Sequence, residues 1–171
     1  MSVGVQTWHY GLVARWWAEF SEGGDDLEFF QNAIRRRGEP ALDAGCGTGR
    51  LLLPLLRSGM DIDGSDVSED MLTWCANRAE TEGLSANLYR QAMHELDLPR
   101  RYRTVVFCGS FGLGGTRFTD LEGLRRIHSH LEPGGTLVMD HYPPKRDSDY
   151  GEAQDGSLDL PYGWPEQGDR R

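Results

Sequence analysis

The apolar positions of this 171-residue chain alternate between helical spacing and the short runs of strands. An N-terminal helix is predicted by four side chains at the i, i+3, i+4, i+7 spacing: Val13, Trp16, Trp17 and Phe20. A second helix is predicted to begin at the carboxylates of Asp25 and Asp26 and to end near Gly38. The stripe of aromatic side chains on the first helix fits core packing, and it also fits a wall around a substrate.

Five short strands are predicted along the rest of the chain, at 41–44, 60–65, 86–92, 103–108 and 136–140. Helices lie between them. One contains Pro54, which is expected to kink the helix or to shorten its first turn. The next is capped by Ser68, and a later one has an apolar face that runs to Leu131 and a capping box of Thr119 and Glu122. Strands that alternate with helices predict an α/β protein with a parallel sheet.

Three regions differ in composition. Residues 1–38 form the predicted helical cap or lid, and residues 39–142 form the α/β core. Residues 143–171 contain four prolines, four glycines and three aliphatic side chains, so we expect a weakly structured tail there.

The overall composition excludes several classes of protein. The net charge of −9 argues against a nucleic-acid partner. The longest apolar run, residues 51–56, is too short for a membrane span, and the N-terminus lacks the pattern of a secretion signal. Three cysteines at spacings unlike those of metal ligands predict reduced thiols, a cytoplasmic location and no metal site.

The clearest motif is a glycine turn between a strand and a helix, at residues 41–50. It reads G-x-G-x-G, with Asp43 two residues before Gly45. We expect the turn to bring backbone amides close to a ligand. The dinucleotide pattern G-x-G-x-x-G would need glycine where Arg50 stands. Asp66, at the end of the next strand, is placed to accept ribose hydroxyls, and together these features favour a nucleoside without phosphates.

Three segments in order resemble the class I S-adenosylmethionine-dependent methyltransferases that act on small molecules: residues 42–49, residues 64–72 and residues 131–140. The resemblance covers roughly residues 39–142 and implies a Rossmann-like, doubly wound, mostly parallel sheet. The family usually adds a final β-hairpin beside the fifth strand, and none is visible here. Either the chain is a C-terminally short member of the family, or a partner chain or a second copy covers the free edge of the sheet.

The resemblance also implies which residues bind the cofactor, S-adenosylmethionine. They are Asp43, Gly45, Cys46, Gly47, Thr48, Gly49, Asp66, Val67, Met71, Met93, His94, Cys108, Ser110 and Phe111. The family usually has an aspartate after the third strand, where this chain has Ala92. The substrate would face Tyr10, Trp17, His141 and Tyr142. No catalytic residue is assigned, although Tyr10 and His141 are candidates, the latter as a general base.

Other polar side chains are expected at the surface, without a role in binding. Asp61 and Asp63 are interpreted as solvated carboxylates at the edge of a strand, and His128 and His130 as exposed residues of a helix.

Two main hypotheses follow. The chain transfers a methyl group to an O, N or C atom of a small molecule by in-line displacement. Alternatively, it binds the cofactor but is catalytically inactive or dependent on a partner. A third, an NAD-dependent oxidoreductase, is disfavoured by the spacing at Arg50.

Overall fold

The computed structural model of the chain describes residues 9–21, 23–112 and 116–140, which lie in one unit that spans Met1–His141. The helices are α1 (Gly11–Phe20), α2 (Leu27–Arg37), α3 (Leu52–Arg57), α4 (Glu69–Thr81) and α5 (Arg117–His130). The strands are β1 (Ala41–Ala44), β2 (Ile62–Asp66), β3 (Leu88–Arg90), β4 (Tyr102–Phe107) and β5 (Leu131–Met139). A short 3-10 turn, Met93–Glu95, follows β3. The predicted tail and His141 lie outside the described residues.

The five strands form one parallel sheet in the order β3-β2-β1-β4-β5. Successive residues of β1 face opposite sides of it: Ala41 packs with the side chains of α2, α3 and α4, and Leu42 packs with those of α5. Helices thus cover both faces, and the predicted doubly wound fold is confirmed. The strand order reverses between β1 and β4, which is where sheets of this type bind ligands.

The N-terminal helix α1 lies along α4 and is anchored at its start. The backbone N–H of Gly11 donates to Asp70 Oδ2 at 2.6 Å, and the hydroxyl of Ser68 donates to the carbonyl of His9. Trp17 and Phe20 remain 39% and 68% exposed. Most of the aromatic stripe therefore lies outside the core.

The start of α5 differs from the prediction. The helix begins earlier, with Thr116 as its N-cap, and the reciprocal capping box joins Thr116 and Thr119. Glu122 pairs instead with Arg126, at 3.2 Å. The predicted box of Thr119 and Glu122 is wrong because the chain already contains an equivalent hydroxyl pair one turn upstream.

The starts of β5 and α2 also differ from the prediction. Leu131 begins β5 and does not end the helix, and β5 shifts register opposite the stretch between Tyr102 and Thr104. At the start of α2, Asp26 occupies the N-cap position without a side-chain cap, because its carboxylate binds Arg50. Pro54 does lie in the first turn of the short helix α3, as predicted.

Asp63 is buried, so its prediction as a solvated carboxylate is wrong. It is 1% exposed and accepts four hydrogen bonds, two from Arg100, one from the hydroxyl of Tyr102 and one from Asn87, at 2.7–2.9 Å. Burial and the neighbouring carboxylate raise the pKa of Tyr102. Asp61 does stay exposed, and it shares Arg100 with Asp63.

His130 is likewise more than a surface residue. Its Nε2 accepts the backbone N–H of Leu98 at 2.9 Å, and its Nδ1 lies 2.8 Å from the carbonyl of Arg126. The ring therefore joins the end of α5 to the segment that follows the 3-10 turn.

At the fifth strand, β5 pairs with β4 on one side only within the described residues. The predicted covering of its other edge stays a prediction. No helix in the described part of the chain is long and apolar enough to cross a membrane.

Candidate functional site

Two of the three glycines in the turn after β1 are required by packing. Gly45, Gly47 and Gly49 have φ angles of 80°, 54° and 87°, in the region that favours glycine. A Cβ on Gly45 would lie 2.8 Å from Ser110 Oγ, and one on Gly49 would lie 2.7 Å from Cys75 Sγ. At Gly47 the nearest atom would be 4.0 Å away. The middle of the turn is therefore the place with free space beside it.

Three backbone amides of the turn, those of Gly45, Cys46 and Gly49, are bound to carbonyl groups of the protein. The N–H groups of Gly45 and Cys46 both donate to the carbonyl of Ser65, at 2.7 and 2.9 Å, and that of Gly49 donates to the carbonyl of Cys46 at 2.9 Å. For these three amides the expectation that they point at a ligand is wrong, because Ser65 of β2 and Cys46 of the turn itself supply their acceptors. A phosphate cradle needs free N–H groups, so this turn suits a ligand without a phosphate at that point.

Asp66, the last residue of β2, is held by two backbone donors. Its Oδ2 accepts the N–H of Gly47 at 2.9 Å, and its Oδ1 accepts that of Ser68 at 2.8 Å. Ser68 is the N-cap of α4 and accepts the N–H of Met71, so the helix start fixes the second donor. A carboxylate oxygen accepts about two hydrogen bonds. Each oxygen of Asp66 therefore keeps one acceptor position, which fits a pair of neighbouring hydroxyl groups.

Asp43 lies in β1 directly before the turn and is 2% exposed. Burial raises its pKa to about 7, and the negative charge of Asp66 adds to this, while the guanidinium of Arg50 opposes it. The carboxyl group is thus balanced between its neutral and charged forms near neutral pH, and a nearby cationic group would favour the charged form.

Arg50, the residue after the last glycine, binds two other segments. Its guanidinium donates to both carboxylate oxygens of Asp26 at 2.8 Å, to the carbonyl of Gly23 at 2.7 Å and to Cys108 Sγ at 2.6 Å. Arg50 lowers the pKa of Asp26 to about 2, whereas burial raises that of the Cys108 thiol. In the sequence, Arg50 is informative only for the glycine spacing. Its ion-pair partner Asp26 lies 24 positions earlier, so no local pattern indicates the contact.

The remaining predicted cofactor residues divide into exposed and packed side chains. Val67 is 42% exposed beside Asp66, and the side chain of His94 is 38% exposed. Met71 is buried, and Met93 packs toward Gly123 of α5. On the β4 side, Ser110 donates to the carbonyl of Ala44, and the Phe111 ring lies 5.6 Å from that of Phe107. In the turn after β1, Thr48 and Cys46 are buried. Because these residues follow the carboxyl ends of parallel strands, they lie at one edge of the sheet. Only some of their side chains are exposed there.

Two open grooves lie elsewhere, along the outer side of α4. One of about 450 Å³ is lined by Ala18, Trp74, Asn77, Arg78, Thr81 and Glu82. The other, of about 270 Å³, is lined by Glu69, Leu72, Thr73, Ala76, Leu88 and Arg90. Neither lining includes a residue of the glycine turn or Asp66, so the chemistry and the grooves are in different places.

Comparison with known proteins shows the family to which the chain belongs. The sequence model of one family, described as a methyltransferase domain, matches residues 41–135. The chain belongs to this methyltransferase-domain family.

Individual proteins that resemble the chain are also named as methyltransferases. A dTDP-3-amino-3,4,6-trideoxy-α-D-glucopyranose N,N-dimethyltransferase of Streptomyces venezuelae is 34% identical over 101 residues, which are 58% of this chain and 40% of that protein. The sugar N-methyltransferase KedS8 from Streptoalloteichus sp. has a TM-score of 0.68 at 22% identity, over 83% of this chain and 57% of that one. The glycopeptide N-methyltransferase MtfA, solved with S-adenosylhomocysteine, has a TM-score of 0.61 at 26% identity, over 70% and 48%.

The chain spans less than half the length of two curated relatives that it matches, 47% of one and 40% of the other. The match to residues 41–135 includes the glycine turn, Asp66 and the start of β5, and it excludes α1 and α2.

The predicted substrate residues lie outside the matched segment. Tyr10 is the N-cap of α1 and is 39% exposed, and Trp17 stacks edge-on against Trp16 at 5.5 Å. His141 and Tyr142 lie outside the described residues, so the general-base role of His141 stays a prediction. Within residues 9–21, 23–112 and 116–140, no group of three His, Cys, Asp or Glu side chains is placed to hold a metal ion.

Proposed function

We propose that this chain binds S-adenosylmethionine at the glycine turn and transfers its methyl group to a small molecule. The observation that carries the proposal is Asp66, whose carboxylate is fixed by the N–H groups of Gly47 and Ser68 and keeps acceptor positions for a ribose diol. In the turn beside it, the N–H groups of Gly45, Cys46 and Gly49 are bound to carbonyl groups of the protein. This combination supports a nucleoside ligand that carries no phosphate at the turn.

The protein offers a suitable group to each end of such a ligand. The exposed side chain of Val67 offers an apolar surface for the base, next to the ribose acceptor. The free space at Gly47 leaves room for the chain beyond the ribose, and Asp43 provides a carboxyl group that a cationic ligand would hold in its charged form. When bound, the cofactor supplies a methyl group already activated on a sulfonium.

The protein then has to align an acceptor with that methyl group. Correct alignment of two reactants is worth roughly 7–11 kcal/mol of barrier in favourable cases. The anchored start of α1, where Ser68 and Asp70 hold residues 9–11, keeps Tyr10 close to the same helix start that fixes Asp66. Tyr10 is therefore our candidate for a residue that positions the acceptor.

The accepting atom we propose is an amine nitrogen of a small, sugar-bearing molecule. Relatives named for this chemistry support it: the sugar-amine dimethyltransferase and the glycopeptide enzyme described above. The net charge of −9 also favours approach of a cationic amine over an anionic acceptor. The ammonium form must first lose a proton to solvent. The neutral amine then attacks through its lone pair and loses a further proton afterwards, so the displacement itself needs no general base in its transition state.

The test has a binding arm and a transfer arm. Calorimetry of the 171-residue chain should show binding of S-adenosylmethionine and S-adenosylhomocysteine, and none of ATP or NAD. A methyl-labelled donor should then label amino sugars in a panel that also contains phenols and carboxylic acids. Binding of ATP or NAD in place of the two nucleosides contradicts the cofactor. Label on phenols alone contradicts the amine, and binding without any transfer supports the inactive-domain alternative.

A further inference from the structure

The guanidinium of Arg50 joins three separate segments at the β1–β4 crevice. Arg50 itself follows the glycine turn, Asp26 and the carbonyl of Gly23 belong to the segment that leads into α2, and Cys108 follows β4. The partners of Arg50 lie 24 to 58 positions from it in sequence. They meet where the strand order reverses, which is the expected ligand-binding edge.

The segment before α2 is shaped around this guanidinium. A Cβ on Gly24 would lie 2.5 Å from Arg50 Nη1 and 2.6 Å from Asp26 Oδ1, so a larger residue there would have to displace the two charged groups. The side chain of Arg50 is 26% exposed, and the ion pair is bidentate. Because the pKa of Asp26 is about 2, the carboxylate stays charged at neutral pH.

The glycine turn loses much conformational entropy when it is ordered, so a contact that restricts it matters. Three glycines with positive φ within five residues have many conformations to lose on ordering. Gly45 and Gly49 are fixed by packing, but Gly47 is held through its bond to Asp66, and the chain leaves the turn at Arg50. Whatever fixes Arg50 therefore restricts the C-terminal end of the turn.

We propose that Arg50 is a positioning residue that couples the glycine turn to the Gly23–Asp26 segment, so that a ligand which orders the turn also orders the start of α2. The proposal rests on the cofactor site proposed above. The coupling is reciprocal: the ion pair strengthens ligand binding by the same factor by which the ligand stabilises the ion pair. Arg50 acts through the turn and contacts no reacting atom.

Hydrogen exchange with S-adenosylhomocysteine as the probe tests this coupling. In the unaltered chain the ligand should slow exchange both at 45–50 and at 23–30. In Asp26→Asn, which keeps the side-chain volume, the turn should still be protected while the ligand-induced protection at 23–30 falls about tenfold, and the Kd should rise about tenfold. Arg50→Lys keeps the charge, loses the bidentate geometry and should behave in the same way.

Arg57→Lys is the matched control, because Arg57, the last residue of α3, forms a comparable bidentate ion pair with Glu82 at 2.5 Å. It should change neither the Kd nor the protection at 23–30. The proposal is overturned if Asp26→Asn responds to the ligand like the unaltered chain, or if Arg57→Lys shows the same loss.

Failure of the cofactor proposal gives a different result. If the unaltered chain does not bind the probe, the proposed function is contradicted, and the coupling is judged on ligand-free exchange. Faster exchange at both 45–50 and 23–30 in Asp26→Asn and Arg50→Lys, with none in Arg57→Lys, supports the tie between the segments. Unchanged exchange in the two ion-pair variants overturns it.

Discussion

Two aspartates three positions apart on β2 illustrate two uses of a buried carboxylate. Asp63 accepts four hydrogen bonds, all from side chains, and so has no acceptor position left. Asp66 accepts two, both from backbone N–H groups at the carboxyl end of the strand. A fully bonded carboxylate stabilises the fold, whereas one that is rigidly held and only half-bonded is available to a ligand.

The largest expected effect is on stability, at Asp63. Asp63→Ala leaves the buried hydroxyl of Tyr102 without its acceptor and removes the buried partner of Arg100, so it should lower the free energy of unfolding by about 3–5 kcal/mol. Urea denaturation measures this. Asp61→Ala, which removes the exposed partner of the same arginine, should cost less than about 1 kcal/mol. Equal losses in the two variants would contradict the distinction.

The next effect is a pH dependence at a third carboxyl group, Asp43. Its folded pKa, about 7, lies above the ordinary value of 3.8, so the folded state binds this proton more tightly. The associated stability is complete below about pH 4 and is lost as the pH rises to 7, to an extent on the order of 4 kcal/mol. Asp43→Asn should therefore flatten the unfolding free energy between pH 4 and 7.

Asp61→Asn is the control for Asp43, because Asp61 is an exposed aspartate one strand away. It should leave the pH dependence of the unaltered protein in place. A curve for Asp43→Asn that still falls over this range would show that the buried carboxyl group is not its source.

The third effect is on binding, at Asp66. Asp66→Ala removes two charge-assisted acceptors and should weaken binding of S-adenosylhomocysteine at least about 100-fold, as measured by calorimetry. Glu69→Gln removes a charge three residues away, from an exposed pair with Arg90, and should leave the Kd within about twofold. An unchanged Kd in Asp66→Ala would remove Asp66 from the site.

The sequence was a good guide to what local pattern determines. Parallel strands, the glycine turn and the Ser68 cap follow from periodicity, backbone preference and a hydroxyl at a helix start. The partners of Asp63 could not be predicted, because Arg100 and Tyr102 return from almost 40 positions away. For the same reason the sequence did not show that Ser65 would bind the amides of the turn.

The contrast between the two ends of β2 is tested most directly by amide chemical shifts in a ¹⁵N-labelled protein titrated with S-adenosylhomocysteine. We predict the largest shifts at the amides of Gly47 and Ser68, whose N–H groups hold Asp66. We predict almost none at those of Asn87 and Arg100, whose side chains hold Asp63. Shifts concentrated around Trp74 and Thr81 on the outer side of α4, with Gly47 and Ser68 unmoved, would place the ligand in the groove there. That result would contradict a binding site at Asp66.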